Sequence, residues 1–192
     1  GLPIVPPTDD AVREFLRWTD RDPRDVVAVL PPRQGEATIE RIAINAVMAG
    51  CRPEYLPLIV TAIESLADPV FNLDSIQATT HPVAPLVIVN GPIRHALDIN
   101  SGAGVFGPGW RANATIGRTL RLVLLNCLEC HPGVLDKSTQ GWPGKYSLCF
   151  AEEEAASPWE PLHVSRGLSA DRSAVTVYAA ESGHNVLSHG TS

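Results

Sequence analysis

The sequence predicts a mixed α/β or α+β fold, a single domain in which N-terminal helices are followed by a small mixed sheet. Helix-like periodicity is concentrated in the early part of the chain. Short β-branched runs bounded by Gly, Pro and Asn come to predominate later. With 192 residues, 44% of them hydrophobic, the chain can fill one core but hardly two. The expected domain is therefore 1–192, with residues 1–7 as an extended, proline-rich arm.

After the arm, Thr8-Asp9-Asp10 supplies a capping hydroxyl and two acids, which suit the positive end of a helix. Val12, Phe15 and Leu16 share one face, so Asp9–Thr19 is an expected amphipathic helix. Val26–Leu30 is a short apolar run stopped by Pro31-Pro32, compatible with strand or helix. Glu36–Ala49 is a second helix closed by Gly50, and Pro53 opens a third that runs to about Leu66. Ile76–Thr80 and Leu86–Val89 read as strands, the latter followed by the turn Asn90-Gly91-Pro92, and Ile93–Leu97 as one helical turn. Asn100–Gly109 is too glycine-rich for anything but loop. Thr115–Cys130 is a helix, closed by His131-Pro132-Gly133. Tyr146–Ala151 and Ala174–Ala180 are two further strands, the second expected to be largely buried.

The formal charge of -6 and pI of about 5.5 argue against nucleic acid as a partner, which needs clustered positive charge. Lys137 and Lys145 are the only lysines, and the arginines are scattered. No apolar run approaches the roughly 20 residues that span a bilayer, and Gly1–Pro7 is no signal peptide. No membrane partner and a cytoplasmic location are the expectations. Four cysteines in a chain of this length do not make a disulfide framework.

Four features carry possible chemistry. The first is the glycine-rich loop running into Trp110-Arg111-Ala112-Asn113-Ala114-Thr115. A helix start offers unpaired N–H groups to an anion, and Arg111 adds a planar fork for carboxylate or phosphate. Asn113 or Thr115 is the expected cap. The spacing fits neither a P-loop nor a dinucleotide fingerprint, and a capped structural loop is the plain alternative. The second is Cys51, at a helix junction beside Arg52, where a thiolate would be stabilised and its pKa lowered. A small buried residue is the alternative. The third is Cys127-Leu128-Glu129-Cys130-His131, a C-x-x-C-H match to c-type haem attachment. Its place at a helix C-terminus disfavours both haem and a redox dithiol, because the dipole there opposes a thiolate. The fourth is the polar group Glu152-Glu153-Glu154, Glu160, His163, Glu181, His184 and His189, whose members follow predicted strands and can meet at adjacent strand ends. His184 is the preferred histidine, and a solvated acidic face is the alternative for the glutamates.

The runs Ala43–Cys51, Phe106–Arg118 and Ser157–His163 resemble a bacterial family of unassigned activity, associated with or fused to modules that carry a UGSC (selenocysteine or cysteine) motif. The resemblance covers most of the chain. It implies thiol or selenol chemistry nearby, with no defined substrate. The matching positions are Cys51, Trp110, Arg111, Asn113, Glu160 and His163. Members extend further at the C-terminus, which implies either a piece of a longer chain or one subunit of a homo- or hetero-oligomer, with a second subunit completing the fold.

The expected function is an enzyme, or a catalytic subunit, acting on a small anionic organic molecule as a lyase, hydrolase or thiol-dependent reductase. Arg111, Asn113, Thr115 and Trp110 would bind the substrate. Cys51, His163, His184 and Glu160 would be catalytic. A transition-metal site would draw on Cys51, His184 and His189. The alternatives are a non-catalytic partner module of a thiol or selenol redox enzyme and, less favoured, a haem protein.

Overall fold

The computed structural model describes residues 2–186. Helix α1 (Asp9–Leu16) starts where the acids and the cap predict: Thr8 Oγ1 accepts from the Ala11 N–H at 3.3 Å, and Val12 and Phe15 turn inward. The run Val26–Leu30 is a strand, β1. It forms an antiparallel hairpin with β2 (Gly35–Thr38), a strand the periodicity had merged into the following helix. Helix α2 therefore begins later than predicted, at Ile39, and ends at Ala49. Thr38 sets that start, since its hydroxyl accepts from Arg41 N at 3.2 Å. Pro53–Tyr55 makes a single 3₁₀ turn that leads into α3 (Leu56–Leu66), a largely buried helix.

The segment predicted as a strand over Ile76–Thr80 is instead the end of a helix, α4 (Leu73–Ala78). Its β-branched residues mislead. Leu73 and Gln77 are the pair that is buried while Ser75 between them is exposed; a strand would put all three on one face, so the pattern suits a helix.

Strand β3 (Ala84–Asn90) is central in a three-stranded sheet of order β4-β3-β5. It runs parallel to β4 (Cys149–Ala151) and antiparallel to β5 (Ala174–Ala180). Val87 and Val89 face the core, while Leu86 and Ile88 on the other side are half-buried. Strand β5 is mostly half-buried rather than largely buried, because it is an edge strand with Tyr178 turned to solvent. The predicted strand from Tyr146 shrinks to three residues. Pro143–Lys145 is a 3₁₀ turn, and Ser147 bonds a helix carbonyl instead of a strand. After β3 comes the short helix α5 (Ile93–Ala96), and Leu162–Ser165 forms another, α7.

Helix α6 (Arg111–Asn126) packs on α2, where Asn126 Nδ2 donates to Asn45 Oδ1 at 2.6 Å. It begins earlier and ends earlier than the predicted Thr115–Cys130. Thr115 is inside it, donating its hydroxyl to Arg111 O at 2.8 Å, and neither Asn113 nor Thr115 caps it. At its other end the helix stops at Asn126, so Cys127–Cys130 lie beyond it, with Glu129 at a positive φ of 54°. The following loop is locked by Asp136, which is buried and accepts from Arg121 Nη2 at 2.6 Å and Lys145 Nζ at 2.8 Å. Burial pushes the Asp136 carboxyl up, but Lys145 and Ser138 outweigh it and hold the group far below the usual carboxylate range.

The architecture is α+β, with the helices mostly N-terminal and one main core joining α1–α3 and α6 to the inner face of the sheet. No single helix among the described residues is long and apolar enough to cross a membrane.

Candidate functional site

The glycine-rich loop does border a cavity, though not through Arg111. Asn113, buried in the first turn of α6, clamps the loop. Its Oδ1 accepts from Asn100 N at 2.8 Å and its Nδ2 donates to Asn100 O at 3.0 Å and Val105 O at 3.3 Å. The clamp sets Phe106 over Phe150, ring centroids 5.3 Å apart and nearly edge-on. Between this loop and the turn Trp142–Gly144 lies a cleft of about 710 Å³. Small-molecule sites have this size and this largely apolar wall. Ala114 and Ser147–Cys149 line it between the two walls, and Ser182–Asn185 close its remaining side.

Polar groups at the cleft are few. Gly144 lies so close under the Trp142 indole that a Cβ there would sit 2.4 Å from the ring. The indole Nε1 is buried and has no hydrogen-bond partner among the described residues. Ser147 Oγ is engaged, donating to Ala114 O at 2.7 Å. His184 is exposed. The Cys149 thiol is buried, and burial pushes it far above the ordinary thiol range.

Cys51, Arg111 and Thr115 meet elsewhere, at the end of α2. Arg111 Nε donates to Gly50 O at 2.8 Å, and the N-terminal arm lies across the same corner, with Val5 N bonded to Met48 O and Arg118 Nη2 to Pro3 O. The expected thiolate is overturned here. Cys51 is buried, its sulfur 3.1 Å from Thr119 Oγ1, and burial pushes the thiol up to about 11. The Thr115 and Thr119 hydroxyls and the Arg111 and Arg118 charges pull the other way without compensating. Arg52, the expected activator, lies 3.9 Å from Glu54 instead. Neither Cys51 nor Arg111 lines the cleft that His184 borders, so the composite of Cys51, Arg111 and His184 is not assembled.

A third grouping lies where the parallel strands β3 and β4 end, a location that binds ligands in many open sheets. Asn90 closes β3, and Glu152-Glu153-Glu154 follow β4. Asn90 Nδ2 donates to Glu152 Oε2 at 2.5 Å and to Glu154 Oε1 at 2.8 Å. Glu154 also accepts from Gly91 N at 2.8 Å and pairs with Arg94 at 2.9 Å. Burial raises its pKa, but these donors outweigh it and hold the carboxyl below its ordinary value. His163, on α7, is only 2% exposed, with Nδ1 4.0 Å from Glu154 Oε1. Neither ring nitrogen has a hydrogen-bond partner among the described residues, and neither has Asn90 Oδ1. The sequence pointed to His163 and the glutamate run. It missed Asn90 and Arg94, because Asn90-Gly91-Pro92 read only as a turn.

Glu160 is exposed and makes no side-chain hydrogen bond or ion pair with these groupings among the described residues, and Trp110 is exposed at the start of α6. His189 lies outside the described residues. No group of three His, Cys, Asp or Glu residues suited to a metal occurs among the described residues. Within the C-x-x-C-H segment, Cys130 is buried and its thiol donates to Gln77 Oε1 at 3.2 Å. Comparison with protein-family models, curated proteins and solved structures finds no match for this chain.

Proposed function

We propose that the chain binds a small planar organic molecule in the cleft between Phe106 and Trp142, and acts on it by proton transfer. The observation that carries this reading is the cleft itself: about 710 Å³, walled by aromatic side chains, with a buried and unpartnered indole N–H beside it. That N–H is a donor only, so the molecule it suits carries an acceptor such as a carbonyl or carboxylate. An anionic organic acid fits this requirement. His184 is the imidazole bordering the cleft, a side chain whose ring nitrogens can accept and donate a proton. The buried thiols of Cys51 and Cys149 are held protonated, which favours proton transfer over thiolate attack.

A library of planar carboxylates and carbonyl compounds, screened by saturation-transfer NMR, tests the proposal. Binders should be lost in Phe106→Ala. They should weaken about tenfold in Trp142→Phe, which keeps a ring but deletes the N–H. Turnover, assayed on the binders found, should fall in His184→Gln with affinity unchanged. A screen without binders, or binders indifferent to Phe106→Ala, would refute it.

A further inference from the structure

The grouping at the ends of β3 and β4 has unmet hydrogen-bonding capacity, and its charges indicate what would meet it. Asn90 is fully buried, and its orientation is fixed because both neighbours of Nδ2 are carboxylates, which only accept. Its Oδ1 is therefore an acceptor left without a donor. Buried polar atoms of this kind are rare, since each costs the full desolvation of the group. His163 adds an imidazole that is 2% exposed and unpartnered at both nitrogens. The two residues are joined through the same carboxylates. Glu152 Oε2 accepts from Asn90 and, at 2.9 Å, from Leu162 N, next to His163, while Glu154 Oε1 accepts from Asn90 and faces the imidazole.

The charges do not balance. Glu154 is neutralised by Arg94 at 2.9 Å. Glu152 is half-buried: its carboxylate accepts only from Asn90 Nδ2 and Leu162 N, and no cation pairs with that carboxylate among the described residues, although Arg94 Nη1 donates to its main-chain carbonyl at 2.8 Å. Glu153, the next residue, is likewise half-buried and accepts from Ser101 Oγ at 2.9 Å. The grouping thus has negative charge in excess and acceptors to spare.

We infer that the carboxyl ends of β3 and β4 form a second binding site, for the ammonium head group of a small primary amine. An R–NH₃⁺ group carries three donors and no acceptor. Asn90 Oδ1, the Glu152 carboxylate and one ring nitrogen of His163 supply three acceptors, and the charge of Glu152 is then compensated. Glu154 and Arg94 are positioning residues, since both carboxylate oxygens of Glu154 are already engaged.

The test uses the full chain and the ring nitrogen signals of His163 in ¹H–¹⁵N correlation spectra, assigned from a His163→Gln variant. Methylammonium is expected to shift them saturably. Tetramethylammonium, equally charged but without N–H donors, is expected to leave them in place. Glu152→Gln should weaken methylammonium at least tenfold while the thermal unfolding midpoint shows the fold intact. No response to methylammonium, which would leave solvent as the occupant, overturns the inference. An equal response to tetramethylammonium overturns it too, as does tight binding of Mn²⁺ or Zn²⁺ without methylammonium binding. The readout lies outside the Phe106–Trp142 cleft, so failure here and failure of the cleft reading are distinguishable.

Discussion

Replacing Gly117 by alanine would stabilise an isolated helix by about 0.5–1 kcal/mol, because glycine is the poorer helix former. In this protein the same change is expected to destabilise. Gly117 is a buried residue of α6 and lies directly against the chain leading into β4. A Cβ added there would sit 2.5 Å from Leu148 N and 2.5 Å from Ser147 Oγ. The serine could rotate away at the cost of its bond to Ala114 O. Leu148 N is backbone and cannot, so α6 and the segment Ser147–Cys149 must separate. Overpacking costs about 1–3 kcal/mol, and a clash with backbone at 2.5 Å belongs to the upper part of that range, about 2–3 kcal/mol, which leaves a net loss of about 1–2.5 kcal/mol after the helix gain. For a domain of this size that lowers the thermal unfolding midpoint by roughly 2–10 °C. Urea unfolding of G117A beside wild type measures the loss. Gly109→Ala, with nothing within 4 Å of the new methyl, is the control and should change stability by less than about 0.5 kcal/mol. Equal or greater stability of G117A would refute the packing argument.

Other predictions rest on independent features. Asp136→Asn leaves Arg121 and Lys145, at 13% and 11% side-chain exposure, without their buried counter-charge and should cost about 3–5 kcal/mol in a denaturation experiment. The native Asp136 carboxyl is held far below its unfolded value, so its contribution is complete above about pH 5 and disappears as the pH falls toward the folded value. The acid limb of the wild-type stability curve should therefore be shallower in D136N, and superimposable limbs would count against the assignment. Cys51 titrates the opposite way. Its folded pKa is raised to about 11, so its contribution is present below the unfolded thiol value and lost as pH rises through about 11. Native Cys51 should resist thiol reagents at pH 7 and label only on unfolding, and rapid labelling would contradict its burial. Thr38→Ala removes the cap of α2 and should cost about 1 kcal/mol by chemical denaturation.

What the sequence made legible was local. Thr8 with Asp9 and Asp10 announced α1 because a cap and its acids act within one turn. Leu86–Val89 announced β3 through its β-branched run. Errors came where a local signal competed with a distant partner. The strand Gly35–Thr38 exists only through its pairing with Val26–Leu30, and its residues also fit the front of a helix. Ile76 and Thr79 have strand propensity, but burial of Leu73 and Gln77 decided for helix. The same divide runs through the candidate sites. Cys51 beside Arg52 reads locally as an activated thiol, yet desolvation by the folded core dominates. Asn90 and Glu154 share a hydrogen bond across 64 residues, and no spacing rule connects them. The cleft draws its walls from the glycine loop, the Trp142 turn and the exit of β5, segments that carry no common motif.

The central place of β3 has a consequence for how the chain is made. Its two partners, β4 and β5, lie far downstream. During synthesis from the N-terminus, the β1–β2 hairpin and helices α1–α3 emerge with their neighbours and can dock early. Strand β3 must wait with both edges unpaired until Cys149–Ala151 has been synthesised, and with its longer edge still open until Ala174–Ala180 follows. An arrest-peptide force profile should show early folding force from the helical layer and a second step only after Ala180 clears the exit tunnel. In that interval Leu86–Val89 is the segment in most need of shielding from other chains.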